Sequence, residues 1–145
     1  MTPIRLTVVN THPIQYNAPW FRYLAANCPE LDVTVLYAAR PSAAQQGVGF
    51  GRAFEWDQPL EEGYRCRVLC DSVPDADFGA GAFRGLDVPE IESAVLDTKP
   101  DVVMVPGWNS VTLVRAVRAS RQRVIPVLYR GDTHLALGQI GRAHV

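Results

Sequence analysis

Asp101-Val-Val-Met-Val-Pro106, running into Gly107-Trp-Asn-Ser110, is the stretch that decides the fold. Four consecutive apolar residues without polar alternation predict a strand buried on both faces. Such strands occur in parallel sheets, whose crossover helices cover both sides. Working outward, Ser110 is a helix N-cap. After it, Val111, Val114 and Val117 recur at helical spacing and are expected to point inward. Arg115, Arg118, Arg121 and Arg123 are expected on the outer face and exit. Upstream, Asp87-Val-Pro-Glu90 combines an Asp cap, a proline in the first turn and a glutamate three residues on. It predicts a helix with Val88, Ile91, Val95 and Thr98 inward, ended by Lys99-Pro100.

The flanks repeat the pattern. Ile4 to Val9, Leu31 to Tyr37, Tyr64 to Leu69 and Ile125 to Tyr129 read as strands. A helix capped by Asn17 should bury Phe21, Leu24, Ala25 and Cys28, and Pro29 stops it. Residues 38–63 read as an irregular loop. The resulting order, β-α-β, loop, β-α-β-α-β, predicts an α/β, doubly wound, Rossmann-like parallel sheet with right-handed crossovers.

Composition narrows the partners. Hydrophobic residues make up 48% of the 145, enough for a core, and 14 basic against 15 acidic residues leave no strong field. Nucleic acid is therefore not an expected partner. No apolar run approaches a spanning helix, and the first residues do not form a signal peptide pattern. Cys28, Cys66 and Cys70 suggest a reducing cytosol, and Cys66-x3-Cys70 lacks a second ligand pair, so no metal is expected. The α-helical arginines read as a solvated face, with anionic lipid the sharper alternative.

Ligands of open parallel sheets bind beyond the carboxyl ends of the strands. Four loops satisfy that rule: Thr11–Asn17, Ala39-Arg40, Gly107–Ser110 and Arg130-Gly-Asp-Thr-His134. They mix aromatics, glycine and bifunctional hydrogen-bonding groups, which suits sugars. His12 and His134 stand close to strand ends, where an imidazole binds a hydroxyl or phosphate, acts as acid or base, or bonds to a loop carbonyl. Gln15, Tyr16, Asn109, Arg130 and Asp132 complete the candidates. For Asp132 a turn cap, and for Asn109 loop packing, are the plain alternatives. The first βα turn has no G-x-G-x-x-G, and neither a phosphate-binding P-loop nor a nucleophile elbow occurs.

The string Thr11-His-Pro-Ile-Gln-Tyr-Asn-Ala-Pro-Trp-Phe-Arg22, Leu36-Tyr37, Phe50-Gly-Arg-Ala-Phe-Glu-Trp-Asp57, Pro106-Gly-Trp-Asn-Ser110 and Leu128-Tyr-Arg-Gly-Asp-Thr-His-Leu135 resembles the N-terminal domain of bacterial GT-B glycosyltransferases of the retaining, family-four-like type. The resemblance spans about residues 4–137. It implies two Rossmann-like domains across a cleft, the first binding the acceptor and the second the nucleotide-sugar donor. Residues 1–138 would then be an incomplete N-terminal domain, inactive alone, with no cofactor of its own and the donor held by the missing C-terminal domain. His134 would lie near the reaction centre as the catalytic candidate. His12, Gln15, Tyr16, Asn109, Arg130 and Asp132 would serve the acceptor or cleft side. The implied partner is a sugar or lipid-linked acceptor in surface polysaccharide assembly. The implied location is cytoplasmic, at the inner face of the membrane, with peripheral contact through the parent enzyme. The first loop departs from the broader family in lacking a Gly-Gly turn.

Two other readings compete: a non-catalytic doubly wound module that binds a small ligand or partner, and a nucleotide-sugar epimerase fragment. Residues 139–145 are expected to be a non-native tail, because Ile140-Gly-Arg-Ala-His-Val145 matches one reading frame of a common sequencing adapter.

Overall fold

The structure is a computed structural model that describes residues 1–79 and 81–131. Its elements are β1 (Ile4–Asn10), α1 (Ala18–Asn27), β2 (Leu31–Ala39), α2 (Ala43–Gly47), a 3-10 turn (Val48–Phe50), β3 (Cys66–Cys70), α3 (Ile91–Asp97), β4 (Val102–Val105), α4 (Val111–Gln122) and β5 (Val127–Tyr129). All five strands pair in parallel, in the order β3-β2-β1-β4-β5. The doubly wound, Rossmann-like α/β sheet is therefore the fold. Strand order reverses between β1 and β4, where chain crossings leave the sheet in opposite directions and open a crevice.

The central strands are apolar on both faces because each face has its own core. Val9, Leu36, Val103 and Val105 pack with Ile91, Val95, Leu113 and Ala116 of α3 and α4. On the other face Val8, Val35, Tyr37 and Met104 pack with Phe21 of α1. Adjacent residues point to opposite faces, so Val8 and Val9 divide between the two cores. In the second core the Tyr37 hydroxyl meets that of Tyr64 at 2.7 Å. Burial pushes the Tyr37 hydroxyl far above its ordinary titration range.

Expectations about all four helices require correction. In α4 the cap is as expected, with Ser110 Oγ accepting from the Thr112 amide at 3.3 Å. The buried face, however, is Thr112, Leu113, Ala116, Ala119 and Ser120, and Val114 is 38% exposed. Two small alanines let α4 approach closely, and its inward polar groups are hydrogen-bonded. Thr112 Oγ1 donates to the Leu86 carbonyl at 2.8 Å and accepts from the Val88 amide at 3.0 Å. Ser120 Oγ donates to the Ala116 carbonyl at 2.8 Å. Satisfied hydroxyls cost little to bury, so Thr112 and Ser120 join the inner face; of the expected valines Val117 still packs against the core, Val111 is half-buried and Val114 turns outward.

The helix after Asp87 begins later than its capping pattern suggests, at Ile91. Asp87 instead takes the Arg115 guanidinium at 2.7 and 3.1 Å, and that pairing holds its carboxyl below the ordinary range. Asn17 occupies the N-cap of α1 but has helical backbone and makes no side-chain cap. The preceding turn, with the Asn17 amide on the Ile14 carbonyl at 3.1 Å, introduces the helix instead. Ala25 is exposed, and the inner face of α1 is Ala18, Phe21 and Leu24. Finally, residues 38–63 contain α2, opened by a capping box between Ser42 and Gln45.

Candidate functional site

The crevice at the strand-order reversal is built from the ends of β1 and β4. β1 closes with Asn10, which is 2% exposed. Its side-chain Nδ2 has no hydrogen-bond partner among the described residues. A buried donor left without any partner costs about 1–3 kcal/mol, so this amide is a group that a ligand oxygen could satisfy. It lies on a cavity of about 10 Å3 lined by Asn17, Trp20, Met104, Pro106 and Arg130. Arg130 follows β5, and its backbone amide is held by the Val105 carbonyl at 2.9 Å. Its guanidinium carbon lies 4.6 Å from the Trp20 ring centroid, a cation–π contact that fixes the side chain over the cavity. A buried amide donor and an arginine thus line one small cavity, with room for about a single oxygen. Such a pair is suited to the oxygens of a hydroxylated or anionic ligand.

A second small cavity, about 30 Å3, lies among the loops that follow β1 and β4. It is lined by Thr11, Asp77, Phe78, Asn109 and Ser110 among others. His12 stands behind this wall. Its Nδ1 is hydrogen-bonded to the Thr11 hydroxyl at 2.9 Å, and its ring packs edge-on against Phe78, centroids 5.0 Å apart. Burial in these surroundings pushes the imidazole down to about 4. His12 is therefore neutral near pH 7 and can donate or accept a hydrogen bond there without carrying charge.

The crevice brings together only some of the residues expected from sequence. Arg130 lines the Asn10 cavity, Asn109 lines the second one, and His12 reaches that second cavity only through its contacts with Thr11 and Phe78. Gln15 is fixed through its backbone carbonyl, which accepts from Gln58 Nε2 at 3.3 Å. Tyr16 is 71% exposed on the turn before α1. Asp132 and His134 lie outside the described residues. Asn10, Trp20 and Phe78 were not anticipated. A polar residue ending a buried strand is a readable signal for Asn10, whereas Phe78 comes from a distant loop with no local pattern.

A larger cavity, about 810 Å3, runs along β5 and is lined by Trp108, Val114, Val117, Ile125 and Tyr129. Trp108 stacks on Tyr129 at 4.6 Å and 17°. Its lining is nearly all apolar and offers few groups for chemistry. Among the described residues no cluster of His, Cys, Asp or Glu could hold a metal ion, and no helix is long and apolar enough to cross a membrane.

No family model matches the chain, and no curated protein matches it. Among solved structures, one described as a deacetylase–teicoplanin complex in the biosynthesis pathway of teicoplanin is similar over 85% of this chain and 68% of that chain. The TM-score is 0.44 and the sequence identity 18%.

Proposed function

We propose that the chain is the acceptor-side half of a glycosyltransferase that moves a sugar from a nucleotide-sugar to a glycan or lipid-linked acceptor. The observation that carries this reading is the buried Asn10 amide, without a partner among the described residues, beside Arg130 and framed by the Thr11–Asn17 and Gly107–Ser110 motif loops at the point where strand order reverses. An uncharged imidazole, amide donors and aromatic rings suit a polyhydroxylated ligand better than a strongly charged one. In the reaction, an acceptor hydroxyl oxygen bonds to the anomeric carbon as that carbon's bond to the nucleoside diphosphate breaks. The hydroxyl proton leaves with a base or with the departing phosphate oxygen. Asn10 and Arg130 would orient oxygens of the bound sugars, and His12 would hold a hydroxyl without charge. His134 remains the candidate at the reacting centre. The same reading puts the parent enzyme in the cytoplasm at the membrane's inner face. Exposed Arg118, Arg121 and Arg123, on a helix and exit without a carboxylate, support that location.

The test is the gene read past codon 138 and its full product assayed for nucleoside diphosphate release from a panel of nucleotide-sugars. Acceptor-dependent release, reduced at least 100-fold by His134→Ala and tenfold or more by Asn10→Leu, is the expected result. A coding sequence that stops near residue 138, or a full product that turns over no nucleotide-sugar, would sink the proposal.

A further inference from the structure

Beside the crevice, Pro13 also borders a separate cavity of about 300 Å3 whose other walls come from residues 40–61. That volume is at the lower end of small-molecule sites, enough for one pyranose ring rather than a nucleotide. Its lining combines Trp56 with Gln46, Gln58, Glu55, Glu61 and Arg40. The walls are held before any ligand arrives. Arg40 is clamped by Glu61 through two parallel bonds of 2.9 and 2.7 Å, and by Asp71 at 2.5 Å. Gln45 ties α2 to the carbonyls of Val73, Pro74 and Ala76 at 2.8, 3.2 and 3.2 Å. At Gly47 the backbone of residues 52–53 passes so close that an added Cβ would sit 1.8 Å from the Arg52 carbonyl oxygen. Trp56 packs edge-to-face on Phe54, centroids 4.7 Å apart, which sets the orientation of its ring.

Charge selects among ligands. Arg40 is neutralised by Glu61 and Asp71, which leaves Glu55 as the uncompensated charge among the described residues of the lining, so a phosphate or nucleotide would meet net repulsion. What remains on offer is an indole for a C–H face and side-chain amides for hydroxyls. Gln58 engages its NH2 group with Gln15, which leaves its carbonyl oxygen to accept.

We propose that this cavity binds a single uncharged saccharide ring, stacked on Trp56 and hydrogen-bonded by Gln46 and Gln58. Naming that ring as the acceptor rests on the transfer reading above; the binding itself does not.

The test titrates the full chain with methyl β-D-glucopyranoside, methyl α-D-mannopyranoside and glucose 1-phosphate, read by saturation-transfer NMR and tryptophan emission. At least one neutral glycoside should bind with a millimolar Kd. Trp56→Leu should raise that Kd tenfold or more, and Gln46→Leu severalfold. Val114→Ala, on the β5 groove, should leave it unchanged. The Gln46 variant, which alters no core residue, keeps the test sound should the Trp56 variant misfold. Failure of both glycosides to bind, binding indifferent to Trp56 and Gln46, or preference for the phosphate would overturn the proposal. Binding by a parent enzyme that transfers no sugar would refute the transfer reading and leave this site standing. Transfer undiminished by Trp56→Leu would refute its acceptor role alone.

Discussion

Acidifying the protein should reveal the cost of burying His12. The imidazole titrates at about 4 in the fold, because burial opposes its charging, against an ordinary value of 6.5. A lowered histidine makes the unfolded chain bind the proton first, so stability is complete above about pH 6.5 and declines as pH falls toward 4. Linkage between those two values gives a loss of roughly 2.5 kcal/mol at pH 4.5 relative to pH 7.5. The part of the ring that still meets solvent makes this an upper figure. Paired carboxylates such as Asp87 and Asp101 are lowered too, but from an ordinary value of 3.8, so their contribution is lost mainly below this interval. The assay is urea unfolding at both pH values for the wild type and for His12→Gln, which keeps polar groups but cannot charge. The wild type should lose about 2 kcal/mol more than the variant over this interval. Equal losses, or an NMR titration of the His12 ring with a midpoint near 6.5, would refute the reasoning.

Two further outcomes follow from backbone and core geometry. Thr112→Val keeps the shape of a fully buried residue but removes the acceptor of the Val88 amide and the donor to Leu86. It should destabilise by about 1–3 kcal/mol, and an unchanged thermal midpoint would show that the two hydroxyl bonds contribute nothing net. Val124 sits at φ 58°, in the left-handed region that a β-branched residue adopts only at a cost, and its side chain is 89% exposed. Val124→Gly should stabilise by roughly 0.5–1 kcal/mol, the relief of strain exceeding the added freedom of the unfolded chain; a lower melting temperature would contradict this.

The sequence by itself determined the fold class, because strands apolar at every position, such as Val103-Met104-Val105, have only one kind of home: a sheet covered on both sides. It also located the loops at the strand ends, and with them His12, Asn109 and Arg130. It determined less where two local patterns competed. The valines of α4 and the Leu113, Ala116, Ala119 stripe are both helically spaced, and only the fit against α3, with Thr112 satisfied by Leu86 and Val88, chose between them. Asp87 had the pattern of a cap, but Arg115, 28 residues away in the chain, offered a fork of two bonds. The same limit applies to the site. Asn10 with Arg130, His12 with Phe78, and Pro13 with Trp56 are neighbours only because parallel strands bring distant loops to one end of the sheet. Local periodicity reports which face is apolar, whereas the identity of the group on the other side of a crevice is a property of the tertiary fold.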